Sequence, residues 1–382
     1  SSSSRGLGDV YKRQILINKK FVLRMKMLPR IDLDIKGAPR ETKVVVAMSG
    51  GVDSSVAAAL VKNAGYDVIG ITLKLYDTGL TPGKRGSCCA GQDIQDARKV
   101  AADLEIPHYV LNYEDIFKEK VINSFSESYK KGETPIPCVL CNERVKFDDL
   151  FEAAKGLDAK ALVTGHYIIT ETVNDSRQMY RAKDAEKDQS YFLFKTTKKQ
   201  LDFLRFPLGS FNKSEIRGFA QKIGLTVSDK PDSQDICFVP QGKYTDVLKR
   251  IDPKNLKPGH FKSIDGSIIG THEGIVNFTI GQRKGLGVAT GKPLYVIDIN
   301  PNNHDVILGS KNDLRKKNIF IRDVNWIGDK DISFFENKKL KIKAKIRSTQ
   351  EPKLASLMYT NKKISVNFEE DIEGVSPGQA CV

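Results

Sequence analysis

The stretch "KVVVAMSGGVDSSVAAALVKNAG", residues 43–65, decides how the first half of the chain folds. "KVVVAM" is a short continuous apolar run, the pattern of a strand covered on both faces. "SVAAALVKNAG" is made of good helix formers and ends on Gly65, a residue suited to a helix C-terminus. Between them lies "AMSGGVDSS", residues 47–55. Two glycines let the backbone turn sharply and aim amide N–H groups inward, and the helix start adds a partial positive charge of about half a unit. Ser49, Ser54 and Ser55 contribute hydroxyl donors. Together these make a phosphate cradle. It is not a Walker A loop, because no lysine stands in it to reach terminal phosphates. Asp53 instead brings a carboxylate beside polyphosphate, which makes sense when Mg²⁺ bridges the two. The plainer reading is a strand-to-helix turn whose serines cap the helix. The full Ser-Gly-Gly-x-Asp-Ser-Ser directly after a buried strand favours the nucleotide.

Outward from this loop the same grammar repeats. "YDVIGITLKLY", "PHYVLNY" and "ALVTGHY" read as further strands. "DIQDARKVAADLEI", "DIFKEKVINSFSESYKKG" and "NERVKFDDLFEAAKG" read as amphipathic helices. Alternation of this kind predicts an α/β fold, a parallel sheet with helices on both faces and its ligand beyond the carboxyl ends of the strands. After about residue 250 turn-rich pieces separate short strands, and from Asn318 onward there are strands alone, the pattern of a small β-barrel or sandwich. The expected division is a leader over residues 1–40, a catalytic domain over 41–250, a small linking domain over 251–312 and a C-terminal β-barrel over 313–382. "SSSSRGLGDVYKRQ" reads as a non-native leader with Met25 or Met27 as the natural start, so residues 1–24 are set aside. The end, "GVSPGQACV", is expected to fall inside a strand, leaving the barrel short of its last strands.

Lysine and arginine number 61 against 47 aspartates and glutamates, a formal net charge of +14. That excess favours a polyanionic partner, with a merely soluble basic protein as the plainer reading, and no run of eighteen apolar residues exists to span a membrane. Six cysteines without a secretory signal point to a reducing, cytoplasmic setting.

Cys138 and Cys141 lie in "TPIPCVLCNERVKF", and Cys237 lies in "PDSQDICFVP". The loop resembles the pyrophosphate loop of the N-type ATP pyrophosphatases, and "LVTGHY" resembles their second nucleotide element. With "PCVLCN", "KDQSYFL", "GQRKGLG" and "SPGQA" in this order, the chain resembles the tRNA-specific 2-thiouridylases from about Lys43 to its end. The resemblance implies ATP and Mg²⁺ as cofactors. It implies that ATP is held by Ala47, Met48, Ser49, Gly50, Gly51, Val52, Asp53, Ser54, Leu73 and Gly165. It also implies a reaction in which the C2 oxygen of the wobble uridine, position 34, is adenylated and then replaced by sulfur. Asp53, Cys141 and Cys237 would be catalytic, with Cys237 carrying a persulfide. Cys141 would release hydrosulfide from it or resolve Cys237 as a disulfide. Cys141 precedes a helix expected to begin near Asn142, with Arg144 and Lys146 close in sequence, a setting that favours a thiolate.

Cys138 stands where many of these enzymes have aspartate. Cys138, Cys141 and Cys237 could instead hold three corners of a [4Fe–4S] cluster, and the two readings compete for the same residues. Zinc lacks a clear fourth ligand. Cys88, Cys89 and Cys381 are expected to be structural. By the same resemblance Ile136, Pro137 and Cys138 surround the flipped base of a tRNA anticodon stem-loop. His166, Lys187, Asp188, Gln189, Arg347, Ser348 and Gln379 touch the tRNA, Ser348 replacing an aromatic often found there. The sulfur would arrive from an upstream persulfide donor, a cysteine desulfurase or a sulfur relay. In "KKLKIKAKIR" the alternation predicts Lys341, Lys343, Lys345 and Arg347 on one exposed face, read either as an RNA contact or as a guarded sheet edge.

Overall fold

The computed structural model describes residues 21, 23–76, 91–232, 236–239, 244–251, 257–288 and 291–382. Most of the leader, and Cys88 with Cys89, lie outside them. The chain divides into two compact units. One holds the residues up to Phe117, Arg144–Ser190 and Lys198–Pro240; the other holds Lys118–Glu143, Tyr191–Thr197 and Gln241–Val382.

The first unit is built on a parallel five-stranded sheet. Its strands are β1 (Lys43–Ala47), β2 (Asp67–Lys74), β3 (His108–Asn112), β4 (Ala161–Val163) and β7 (Leu204–Arg205), in the spatial order β3-β2-β1-β4-β7. Val44, Val45 and Val46 are wholly buried, as a strand covered on both faces requires. β1 pairs in parallel with β2 on one side and β4 on the other. The chain order reverses there, and the carboxyl end of β1 is the switch point at which α/β sheets bind ligands. The helix Val52–Asn63 follows at once, and Val52 and every residue from Val56 to Val61 are buried in the core. Gly65, just past its end, has φ +93°, the left-handed conformation glycine takes most readily. Two elements not foreseen are the antiparallel hairpin β5 (Ile168–Val173) with β6 (Ser176–Arg181), and the short edge strand β7.

The leader expected over residues 1–40 is corrected in its second part, beyond the 24 residues set aside. Met25, Leu28 and Leu33 are buried in the core of this unit. Arg205 explains why the chain stays there. Its guanidinium donates to the Leu33 carbonyl at 2.5 Å and the Asp34 carbonyl at 3.1 Å. Asp34 in turn pairs with Arg177 at 2.5 Å and accepts from Thr172 at 2.7 Å.

The second unit contains two sheets. A four-stranded sheet in the order β10-β11-β8-β9 takes in β8 (Gly259–Ser263), β9 (Ile268–His272), β10 (Tyr295–Asn300) and β11 (Asp305–Gly309), over a core that includes Phe261, Phe278 and Val296. An antiparallel sheet in the order β12-β15-β14-β13 takes in β12 (Arg315–Ile321), β13 (Lys339–Ala344), β14 (Lys353–Thr360) and β15 (Lys363–Glu373), with Ile319, Ala355, Val366 and Phe368 buried beneath it. The helical stretch 118–143, expected in the catalytic domain, belongs to this second unit and brings Cys138 and Cys141 with it.

Candidate active site

At the end of β1 the loop organises itself. The Met48 amide donates to Ile71 at 2.8 Å, and Thr72 donates its hydroxyl to the Met48 carbonyl at 2.6 Å. The Ser49 amide donates to the Ser54 hydroxyl at 3.1 Å, while Ser54 and Ser55 donate to the Gly51 carbonyl at 3.2 and 2.8 Å. No side chain caps the helix at Gly51. The capping alternative is therefore not what the serines do, since their hydroxyls shape the turn and leave helix-start amides for a ligand. Gly50 has φ +75°, and a Cβ there would stand 2.1 Å from the Asp93 carbonyl oxygen. Gly165 answers to a similar constraint: a Cβ would lie 2.8 Å from the Ser54 amide and 2.9 Å from the Asp53 carbonyl carbon. The "LVTGHY" turn thus abuts the start of the helix directly.

Asp53 is tightly held. Lys213 donates to both of its oxygens, at 2.6 and 2.8 Å, and the Tyr167 hydroxyl donates at 2.7 Å. Burial and the Asp53 charge push the Tyr167 phenol well above the ordinary tyrosine range, so it remains a donor. Lys213, nearly buried, also reaches Asp232 at 2.8 Å, and Asp232 further receives Lys187 at 2.9 Å and Arg217 at 2.7 Å. Burial works against the Asp232 carboxylate, but the ammoniums of Lys213 and Lys187 override it and hold its pKa down at about 2. Three cations thus meet two carboxylates on this side of the loop. Lys230 closes the other end, donating to the Gly50 carbonyl at 2.9 Å and to Asp93 and Asp96 at 2.5 and 2.6 Å. The sequence reading found no lysine for this loop; the fold supplies Lys213 and Lys230 from far downstream, where no local pattern marks them. Tyr167, next to Gly165 and His166, was the one such residue within reach of a motif.

His166, also in this unit, accepts from or donates to the Thr164 hydroxyl at 2.9 Å and packs edge-on to Phe147. Burial, aided by the Lys146 charge, holds its pKa well below the usual imidazole value, so the ring is neutral near pH 7. Asp188 and Gln189 turn inward. The Asp188 carboxylate accepts from the Ala182 amide and the Ser190 hydroxyl, and the Gln189 side chain accepts from the Tyr167 amide at 2.9 Å. Lys187 is half-exposed on Asp232. Cys237 is half-buried, and the next residue, Phe238, is buried edge-on to Phe117 at 5.8 Å.

In the second unit the helix Pro137–Cys141 corrects the sequence reading. It begins at Pro137, not near Asn142, because proline lacks the N–H that a first helical residue leaves unpaired. Cys138 therefore sits in the first turn and is exposed, whereas Cys141 sits in the last and is buried. The chain just before the helix is gripped by the "SPGQA" loop. Thr134 donates its amide to Pro377 at 2.7 Å, its hydroxyl meets Ser376 at 2.9 Å, and its carbonyl accepts from Gln379 at 2.7 Å. Gly378, at φ +85°, leaves room for this, since a Cβ would come within 2.9 Å of the Glu133 Cβ. Ile136, Pro137 and Cys138 are thereby brought near Gln379. Tyr191 donates to the Ile346 and Ala380 carbonyls, and Arg347 donates to Gly374 at 2.8 Å.

The predicted basic face survives only in part. Lys341 and Lys343 are exposed on β13, but the strand ends at Ala344 and Lys345 is buried. The backbone of Lys345 pairs with Val382 instead, its ammonium sits 5.7 Å from the Tyr191 ring centre, and it donates to Ser348. Burial raises the Cys381 thiol to about 11, in keeping with a packing role. None of Cys138, Cys141, Cys237 and Cys381 is in a disulfide. Among the described residues no three histidine, cysteine or acidic side chains cluster closely enough to hold a metal ion. Asp53 could take Mg²⁺ only together with phosphate oxygens. No helix among the described residues is long and apolar enough to cross a membrane.

Residues 42–241 match a family model described as tRNA methyl transferase HUP domain, 245–310 one described as tRNA methyl transferase PRC-barrel domain, and 316–382 one described as aminomethyltransferase beta-barrel domain. A protein of Bartonella bacilliformis named tRNA-specific 2-thiouridylase MnmA is 54% identical over 92% of this chain and 90% of its own length. The chain belongs to the MnmA family. A second member, from Brucella ovis, is 52% identical over 92% of this chain and 88% of its own. A U34-tRNA thiolase, NcsA from Methanococcus maripaludis with its [4Fe-4S] cluster, aligns over 62% of this chain and 75% of its own with a TM-score of 0.36 and 20% identity. That likeness is slight, and family membership does not rest on it.

Proposed function

We propose that this chain is an ATP-dependent tRNA sulfurtransferase that replaces the C2 oxygen of the wobble uridine with sulfur. The observation that carries the reading is 54% identity over 92% of the chain to a protein named for that activity. The loop geometry supports it: a glycine-shaped turn at the switch point of the sheet, with helix-start amides and the ammoniums of Lys213 and Lys230 beside it, suits a polyphosphate.

In this reading the uridine O2 attacks the α-phosphorus of ATP and expels pyrophosphate. Asp53 is the residue that would hold Mg²⁺, whose charge would offset that building on the leaving group. The terminal sulfur of a persulfide on Cys237 then attacks C2, and AMP departs with the C2–O bond. The Cys141 thiolate attacks the Cys237 sulfur, a Cys141–Cys237 disulfide forms, and the S–S electron pair stays on the sulfur now bound to C2. A thiol reductant restores both cysteines, and a persulfide donor reloads Cys237. The tRNA contacts carried over by resemblance remain part of this proposal. For Asp188 and Gln189 the internal bonds above favour a supporting role, in which they shape the loop that meets the RNA.

The Cys-x-x-Cys spacing of Cys138 and Cys141 keeps a [4Fe–4S] version in view. Iron and sulfide counts after anaerobic purification separate the two, a stoichiometric cluster overturning the relay. Thiolation of unmodified tRNA by the Cys237→Ser variant tests the sulfur carrier: product should vanish while tRNA-stimulated pyrophosphate release persists, and continued 2-thiouridine formation would remove Cys237 from its role.

A further inference from the structure

The Met48–Ser49 peptide opens the phosphate loop, and both of its polar groups are engaged. Its carbonyl accepts from the Thr72 hydroxyl at 2.6 Å, and its N–H donates to the Ser54 hydroxyl at 3.1 Å. Thr72, on β2, is wholly buried, and its hydroxyl oxygen lies 2.8 Å from Nε2 of His108, the first residue of β3. Gly70 stands opposite His108 in the parallel pairing of β2 with β3, so Gly70, Thr72 and His108 share one face of the sheet. The glycine makes room for this group. A Cβ at position 70 would stand 2.6 Å from the Met48 sulfur and 3.2 Å from the His108 ring.

The single hydroxyl proton of Thr72 settles which ring nitrogen of His108 is protonated. A carbonyl only accepts, so Thr72 gives that proton to Met48 and can only accept from the imidazole. Burial, joined by the Arg98 charge, holds the ring's pKa below the usual imidazole value, so it is neutral near pH 7. Its one N–H is therefore on Nε2. Nδ1 is left unprotonated, buried and without a hydrogen-bond partner among the described residues. Donation runs from His108 to Thr72 to the Met48 carbonyl, and each bond polarises the next.

Resting on the reading of the loop as an ATP site, we propose that His108 and Thr72 are positioning residues for the nucleotide, a relay that fixes the plane of the Met48–Ser49 peptide where the chain enters the loop. Held by Thr72, the Met48 carbonyl stays on β2, and the Ser49 N–H stays on Ser54. A carbonyl released from Thr72 is free to turn its partial negative charge toward the phosphates, which it repels. Neither side chain touches the nucleotide; both act through the backbone of the loop.

The test is calorimetric binding of Mg²⁺ with α,β-methylene-ATP, whose bridge cannot be cleaved, to the full chain. His108→Leu keeps an apolar bulk of similar size but has no donor, and it should weaken binding severalfold, the scale of one neutral hydrogen bond. His108→Gln places a side-chain N–H at a similar reach and should restore affinity to within about twofold of the unaltered chain, a rescue that a merely space-filling histidine does not give. Thr72→Val should weaken binding as His108→Leu does, and the two changes together should cost little more than either alone, because they break one relay. In steady state the loss should fall on the KM for ATP and spare kcat for pyrophosphate release. Should His108→Leu fail to fold, Thr72→Val against Thr72→Ser, which keeps the hydroxyl, gives the same contrast. The proposal is overturned if the folded variants bind the analogue as the unaltered chain does, if His108→Gln binds no better than His108→Leu, or if the paired losses simply add. Nitrogen NMR of the histidine-labelled chain, at a pH where imidazoles are neutral, reads the tautomer directly, and a proton on His108 Nδ1 overturns the relay whatever the nucleotide does. Absence of binding to the unaltered chain, with the proton on Nε2, would instead overturn the ATP reading and the positioning role that rests on it.

Discussion

The phosphate loop and the Cys138–Cys141 helix are both held in place by residues far away in sequence, but by different kinds of bond. Around Asp53 and Gly50 the ties are ion pairs, from Lys213, Lys230 and the cations on Asp232. Before the cysteine helix the ties are neutral hydrogen bonds, from Ser376, Pro377 and Gln379 to Thr134. Charged side chains paired in this way can exchange a carboxylate for a phosphate, as the proposed ATP reading requires. The neutral bonds to Thr134, one from backbone to backbone and two through the Ser376 and Gln379 side chains, carry no charge that an arriving phosphate would claim. One region is built to exchange contacts, the other to keep them.

The largest effect that would sharpen this contrast is expected at Asp53. Asp53→Asn should lower tRNA-stimulated pyrophosphate release by about 100-fold or more, the scale of losing one charged group from a phosphoryl-transfer site. Filter binding should show tRNA affinity unchanged; retained turnover would remove Asp53 from the metal role. Next comes Gly165→Ala, whose Cβ would press on the Ser54 amide and the Asp53 carbonyl carbon. Overpacking of this kind costs about 1–3 kcal/mol, and it should appear in calorimetry as weakened ATP binding. Thr134→Val is the matching break on the other side. Losing one neutral hydrogen bond costs about 1 kcal/mol, so thiolation should slow modestly while ATP affinity holds, and an equal loss of ATP binding would erase the distinction between the two regions.

The smallest effect concerns pH. The folded His166 is held below its unfolded pKa, so below about pH 6.5 the unfolded chain binds a proton the folded chain refuses. Stability should fall as pH drops through 6.5 toward the lower folded value. His166→Gln should flatten that part of the melting-temperature profile, and an unaltered slope would assign it elsewhere.

The parallel sheet was legible because β1 to β4 are continuous apolar runs and because the loop motif sits at a strand-to-helix junction. The four C-terminal strands were legible for the same reason, as short runs separated by turns. The start of the cysteine helix was missed although its signal, Pro137 at the first helical position, stood in the sequence. Lys213, Lys230 and Asp232 could not be read at all. Lys213 lies 160 residues from Asp53, and ion pairs between remote segments leave no period or spacing along a chain. Lys345 misled because alternation ends where the strand does, and only the fold shows that β13 stops at Ala344. Asp188 and Gln189 look like surface recognition residues by motif, and their inward bonds come from the turn that the motif itself forms.

The grip of "SPGQA" on Thr134 has a genetic corollary. A nonsense codon at Ser376 would spare Asp53, Cys141 and Cys237, the residues proposed as catalytic, yet it would strip the residues that seat the helix bearing Cys141. Truncated alleles of this gene should therefore behave as sulfur-transfer defects while their products still engage ATP.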